Sequence, residues 1–89
     1  MKRSSQQRAL HRIRIIQGHF KTIERMIIDN AYCVDTITQS LAVQASLRSL
    51  NKLLLEKHLS HCVVDQVKAG RTESMVQELT RLYDLEARS

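Results

Sequence analysis

Ile13, Ile16, Phe20, Ile23 and Ile27 recur at alternating spacings of three and four. That is the apolar stripe of an amphipathic helix packing on a neighbour, and it predicts a first helix from about Ser5 to Ile28. Arg8, Arg12, Arg14, Lys21 and Arg25 fall mostly off the stripe, so the helix is apolar on one side and basic on another. Asp29 and Asn30 break the pattern, and Gly70 breaks it again. Between them the pattern predicts a second helix from Ala31 or Cys33 to Val67, about 35 residues and ~50 Å long at 1.5 Å per residue. A third helix is expected from Thr72, read as its N-cap with Glu73 in the first turn, and Met75, Leu79, Leu82 and Leu85 form its apolar edge.

The second helix is apolar on more than one side. Ile37, Leu41, Val43, Ala45, Leu47, Leu50, Leu53, Leu54, Leu55, Leu59, Val63 and Val67 cannot all face the first helix. One face takes that helix and the remainder calls for another subunit, so a helical-bundle dimer or larger oligomer is expected. Composition agrees with an all-α fold: among 89 residues there is no proline, the only glycines are Gly18 and Gly70, and the aromatics are Phe20, Tyr32 and Tyr83. The length fits a single domain over residues 1–89 with short frayed termini. No apolar run approaches the roughly 18 to 20 residues of a membrane span, and the start, MKRSSQQRALHR, lacks a signal peptide's apolar segment. A cytoplasmic protein is expected, with Cys33 and Cys62 as free thiols rather than a disulfide.

Charge narrows the partner. Residues 1–28 carry seven basic side chains against Glu24 alone, whereas residues 29–89 carry seven basic and eight acidic ones. All the excess positive charge therefore lies on the first third, which suits a polyanion such as nucleic acid. A solvated basic helix is the plainer account.

The stretch EKHLSHCVVD gathers His58, His61 and Cys62 in a chain with four histidines and two cysteines. His58 and Cys62, four apart on a helix, project from one face and can share one ion; His61 is a substitute. The other cysteine, Cys33, stands about 43 Å away along a continuous helix at 1.5 Å per residue, so the two sulfurs cannot meet within one chain. In an antiparallel pair of these helices, Cys33 of one subunit meets His58 and Cys62 of the other, giving two sites per dimer. Two thiolates and an imidazole suit Cu(I), and Zn(II) if a fourth ligand is found. An inert packed pair is the alternative at this point.

The run RIRIIQGHFKTIERMIIDNAYCVDTITQSLA, continuing to HLSHCV, resembles the copper-sensitive operon repressor (CsoR) family of bacterial metal-sensing transcriptional repressors. The resemblance covers nearly the whole chain. It rests on Arg12-x-Arg14-x-x-x-Gly18, the segment Met26-Ile27-x-Asp29-x-x-Tyr32-Cys33-x-Asp35, Gln39, and the spacing of Cys33, His58 and Cys62. It implies an all-α, disc-shaped homotetramer of two antiparallel dimers, three helices per chain, without a helix-turn-helix. The apo form is expected to hold double-stranded operator DNA and Cu(I) to release it, derepressing copper efflux or homeostasis genes.

Within that family, Cys33, His58 and Cys62 match the ligand triad of the Cu(I) sensors, and Tyr32 and Glu78 match the pair that links the ligand histidine to the rest of the fold. A ligating imidazole needs its other nitrogen fixed by an acceptor, which gives Glu78 its sense. His61 becomes a bystander. The chain departs from the family at His19, where glutamine follows the glycine, at Ile15, commonly basic, and at Thr22, commonly glycine. Nickel and cobalt sensors add an N-terminal histidine absent from MKRSSQ, formaldehyde sensors lack the second cysteine, and persulfide sensors lack the histidine between the two cysteines. A nickel, cobalt, zinc or persulfide sensor is thus the alternative within the family.

The expected DNA-binding face comprises Arg8, Arg12, Arg14, Lys21, Arg48 and Lys52, repeated four times in a tetramer and steeply salt-dependent. Few aromatics are available for stacking on single strands. A helical adaptor for an acidic protein is the competing class. An enzyme is not expected, since no Ser-His-Asp set occurs and a small bundle offers little cavity for a substrate.

Overall fold

Ser4 starts the first helix. Its hydroxyl accepts from the Gln7 backbone N–H at 3.1 Å while the Gln7 side chain accepts from the Ser4 N–H at 3.1 Å, a reciprocal capping box. The computed structural model describes residues 4–88. In chain order it contains α1 (Ser5–Ile28), α2 (Cys33–Lys57), a π-helical turn (His58–Cys62), α3 (Val63–Lys68) and α4 (Thr72–Arg88), and no strand occurs among the described residues. Lys2 and Arg3 of the basic block, and the frayed ends expected at Met1 and Ser89, lie outside the described residues.

Both expected breaks are helix stops of the same kind. Asn30 adopts a left-handed φ of 54°, Ala31 N–H donates to the Met26 carbonyl at 2.9 Å, and Asn30 N–H donates to Ile27 at 3.2 Å. Gly70, at φ 76°, repeats the pattern: Arg71 N–H donates to Gln66 at 2.8 Å and Gly70 N–H to Val67 at 3.1 Å. These are Schellman motifs, which pair the last carbonyls of a helix through one left-handed residue.

Two details differ from expectation. The second helix does not stay α-helical: its turns continue to Lys68 but widen over His58–Cys62, where the Val63 N–H reaches back five residues to the His58 carbonyl. Thr72 is the first residue of α4 rather than its cap, because the Arg71 carbonyl accepts from Met75 N–H at 3.1 Å and so takes the capping position.

The chain divides into two compact units, Met1–Leu55 and Glu56–Ser89. In the first, the four residues between α1 and α2 turn the chain into a helical hairpin. Ile16, only 1% exposed, packs with Val43 and Leu50, flanked by Ala9, Ile13, Ile23 and Leu47. Leu53 is buried as well. The predicted stripe is thus used in part: Phe20 (53%) and Ile27 (64%) stay exposed, as do Ile37 and Leu41 of α2. A hairpin of two helices has one packing seam, and these side chains lie off it. In the second unit, Val63, Met75 and Leu79 are half-buried while Leu82 and Leu85 are exposed. No described helix is long and apolar enough to cross a membrane.

Candidate metal centre and nucleic-acid interface

The π turn coincides with the two ligand candidates of the second unit, opening on His58 and closing on Cys62. In an α-helix, residues four apart are offset by about 40° around the axis. A π turn holds more residues per revolution, so over His58–Cys62 the side chains are re-aimed relative to a regular α-helix, while His58 and Cys62 stay on neighbouring turns of one helical segment. The turn carries a competing local bond as well: Ser60 Oγ donates to the Glu56 carbonyl at 2.7 Å. Such widened turns recur at functional positions of helices.

His58 Nε2 lies 4.0 Å from Glu78 Oε2 on α4. The same carboxylate oxygen accepts from Gln66 Nε2 at 3.3 Å. Gln66 stands one α-helical turn beyond Cys62, so His58, Cys62 and Gln66 follow one another at intervals of four residues. Because Nε2 faces Glu78, the Nδ1 atom is the nitrogen left for a metal. Arg81 and Leu82 join His58 and Glu78 around an open depression of about 270 Å³.

Cys33 belongs to the first unit, where it is the first residue of α2; Tyr32, 70% exposed, precedes it and its carbonyl accepts from the N–H groups of Asp35 and Thr36. Both cysteines are free and exposed. Among the described residues, no three His, Cys, Asp or Glu side chains of the chain gather into a metal-holding group. His58 and Cys62 bound the π turn of the second unit, and Cys33 belongs to the first. Thiols and an imidazole are soft and borderline donors, a set that fits a soft monovalent ion.

All six basic candidates lie in the first unit. Arg8, Arg14 and Lys21 of α1 and Arg48 and Lys52 of α2 are exposed. Arg12 is half-buried, and its guanidinium Nη1 donates to Ser49 Oγ of α2. Arg12 and Ser49, with Ile15, Ala45 and Ser46, border a second open depression of about 310 Å³. The bond brings α1 next to the turn of α2 that carries Arg48 and Lys52. Arg12 therefore lies beside the α2 turn of Arg48 and Lys52, while Arg14 and Lys21 fall on another side of α1 at about 100° per residue.

Sequence reasoning passed over Ser49, Gln66 and Arg81, and read Leu82 only as part of the apolar edge of the last helix. The interval of four from Cys62 is a signal that singles out Gln66 in the sequence. Ser49 carries no such mark, because only the hairpin packing places it against Arg12.

A profile of the family described as metal-sensitive transcriptional repressor matches residues 5–84. The copper-sensing transcriptional repressor CsoR of Bacillus subtilis (strain 168) is 37% identical over 73 residues, covering 82% of this chain and 72% of that protein. CsoR of Mycobacterium tuberculosis (strain ATCC 25618 / H37Rv) is 39% identical over 71 residues, 80% of this chain; the chain spans 60% of that relative's length. The crystal structure of the copper-sensing repressor CsoR with Cu(I) from Geobacillus thermodenitrificans NG80-2 is similar with a TM-score of 0.87 and 31% identity, covering 98% of this chain and 93% of that one.

Proposed function

This chain belongs to the metal-sensitive transcriptional repressor family, and on that premise we propose that it represses transcription from double-stranded operator DNA and releases the DNA on binding Cu(I). It is a regulator and not an enzyme. The observation that carries the metal reading is the π turn bounded by His58 and Cys62, with Glu78 facing the Nε2 atom of the imidazole.

In this reading His58 Nδ1 and Cys62 Sγ of one subunit and Cys33 Sγ of the partner subunit hold the ion. Bound Cu(I) supplies a soft acceptor for two thiolates and one imidazole. Cys33 suits the task because it opens α2, where unpaired backbone N–H groups favour negative charge. Glu78 fixes the His58 ring by accepting its Nε2 proton, and Tyr32 completes the surroundings of that carboxylate in the assembled oligomer. Shortening the 4.0 Å separation between His58 and Glu78 to a hydrogen bond draws α4 against the π turn, which gives the ligand histidine a mechanical link to a whole helix.

The chain is proposed to assemble as a disc-shaped homotetramer of two antiparallel dimers. Exposure of Phe20, Ile27, Ile37 and Leu41 supports assembly, because side chains of this size form an apolar surface that a further helix would bury. The tetramer repeats the surface of Arg8, Arg12, Arg14, Lys21, Arg48 and Lys52 four times against phosphates. Residues 1–89 work as one domain in this scheme, since the basic surface lies on the first unit and His58 on the second. The cytoplasm is the proposed compartment, where both operator DNA and reduced thiols are found.

Regulation follows from linkage: if the Cu(I)-bound form holds DNA less tightly, DNA weakens Cu(I) binding by the same factor. Cu(I) titrated anaerobically into a fluorescent operator complex is expected to release the DNA at stoichiometric metal, with Ni(II) and Zn(II) as comparators. An operator affinity unchanged after full Cu(I) loading would refute the proposal.

A further inference from the structure

Gln66 is held in an arrangement that its own hydrogen bonding does not justify. Its side chain donates through Nε2 to Glu78 Oε2 at 3.3 Å, yet its Oε1 atom is buried and has no hydrogen-bond partner. A carbonyl oxygen taken out of water without a donor is unfavourable, and most such atoms in folded proteins are paired. Turning the amide over does not relieve it: Oε1 would then meet the Glu78 carboxylate, and the two N–H donors would take its place in the buried position. The amide therefore has one acceptable orientation, the one that grips Glu78.

That grip falls on the oxygen that faces the imidazole. Gln66 Nε2 and His58 Nε2 address the same Oε2 of Glu78, at 3.3 and 4.0 Å. The Glu78 side chain is otherwise half open to solvent, and a long carboxylate side chain left to itself samples several rotamers. We propose that Gln66 is a positioning residue of the metal centre, acting through Glu78: its amide from α3 holds the carboxylate beside His58, ready to accept the Nε2 proton when metal binds. The proposal rests on the metal reading of His58 and Cys62.

The test combines a metal-free and a metal-loaded measurement on the full chain. In the metal-free protein, the Gln66 side-chain amide cross-peaks in a ¹H–¹⁵N spectrum are expected to be displaced from solvent-exposed glutamine positions and to return to them in Glu78→Ala. In anaerobic competition, Gln66→Glu, which keeps size but sets two carboxylates against each other, is expected to weaken Cu(I) by about 3- to 10-fold, at or below the range for losing an outer partner of a ligand. In a Glu78→Ala background, Gln66→Leu is expected to change Cu(I) affinity no further, because the group it acts through is gone. Amide resonances indifferent to Glu78→Ala, or an equal cost of Gln66→Leu with and without Glu78, would overturn the positioning role. Absence of tight Cu(I) binding by the unmodified protein would sink the copper reading instead, and the metal-free spectra would still decide whether Gln66 holds Glu78.

Discussion

The Arg12 guanidinium donates to the Ser49 hydroxyl, joining α1 to α2 across the helical hairpin. The most basic helix is thereby fastened to its neighbour through one of its charges, while Arg8, Arg14, Lys21 and Arg25 are exposed. Ser49→Ala is expected to lower stability by about 1 kcal/mol, the net contribution of an ordinary hydrogen bond, because the charge of Arg12 is only partly buried. Urea unfolding followed by circular dichroism measures this. An unchanged midpoint would mean that the bond contributes nothing net.

The same arginine belongs to the proposed DNA surface. Arg12→Ala is expected to weaken operator binding at every salt concentration and to make the slope of log affinity against log salt shallower by about one unit for each phosphate it no longer neutralises. Fluorescence anisotropy between low and moderate salt reads both quantities. A slope equal to that of the unmodified protein would show that Arg12 neutralises no phosphate.

Ile16 is the most buried side chain of the first unit. Ile16→Ala is expected to cost about 2 to 5 kcal/mol, because a cavity opens where α1 meets Val43 and Leu50. Phe20→Ala removes a larger side chain but one that is exposed within the chain. Its expected effect is on assembly, visible as a lower mass by light scattering. A full-mass oligomer with a strongly reduced unfolding midpoint would reverse these assignments.

Gly70 occupies the left-handed position of its Schellman turn at φ 76°, with open space where a Cβ would stand. Gly70→Ala is thus expected to destabilise through backbone strain alone, by about 1 kcal/mol. Asn30→Gly, at the equivalent turn, is expected to be neutral or mildly stabilising. Thermal unfolding of the two variants side by side distinguishes them.

The proposed sharing of ligands between subunits has a direct consequence. Cys33→Ala and His58→Ala homodimers are each expected to lose tight Cu(I) binding while remaining oligomeric. Refolded together, they form mixed dimers in which one site lacks both substituted ligands and the other is intact. Tight binding at half the usual stoichiometry in those dimers is the expected result. None at all would show that both ligands come from one chain.

Helix ends and the breaks between helices were readable from the sequence because they depend on neighbours along the chain. Asn30 and Gly70 interrupt the apolar period and also have the residue types that accept a left-handed backbone. The same local chemistry explains why His58 and Cys62 stood out: two donors four residues apart share a helix face whatever lies around them. Cys33 was reached as the chain's other cysteine, which an antiparallel pair of long helices would bring to His58 and Cys62, whereas Tyr32 and Glu78 rested on resemblance, because nothing local to them marks the support of a ligand.

The sequence by itself determined an all-helical chain, the positions of its turns, the basic first helix and the placing of His58 and Cys62 four residues apart in one helical segment. Each follows from propensity, period and charge over a few residues. Tertiary structure decided that Ile16 is buried while Phe20 of the same stripe is exposed, since burial depends on where the second helix lies and not on the stripe. It decided that the long helix widens over His58–Cys62, a change of hydrogen-bond register that no residue pattern in the segment announces. And it brought Ser49 to Arg12, and Gln66 and Glu78 together beside His58, because those pairs are joined across packed helices, where distance along the chain no longer measures distance in space.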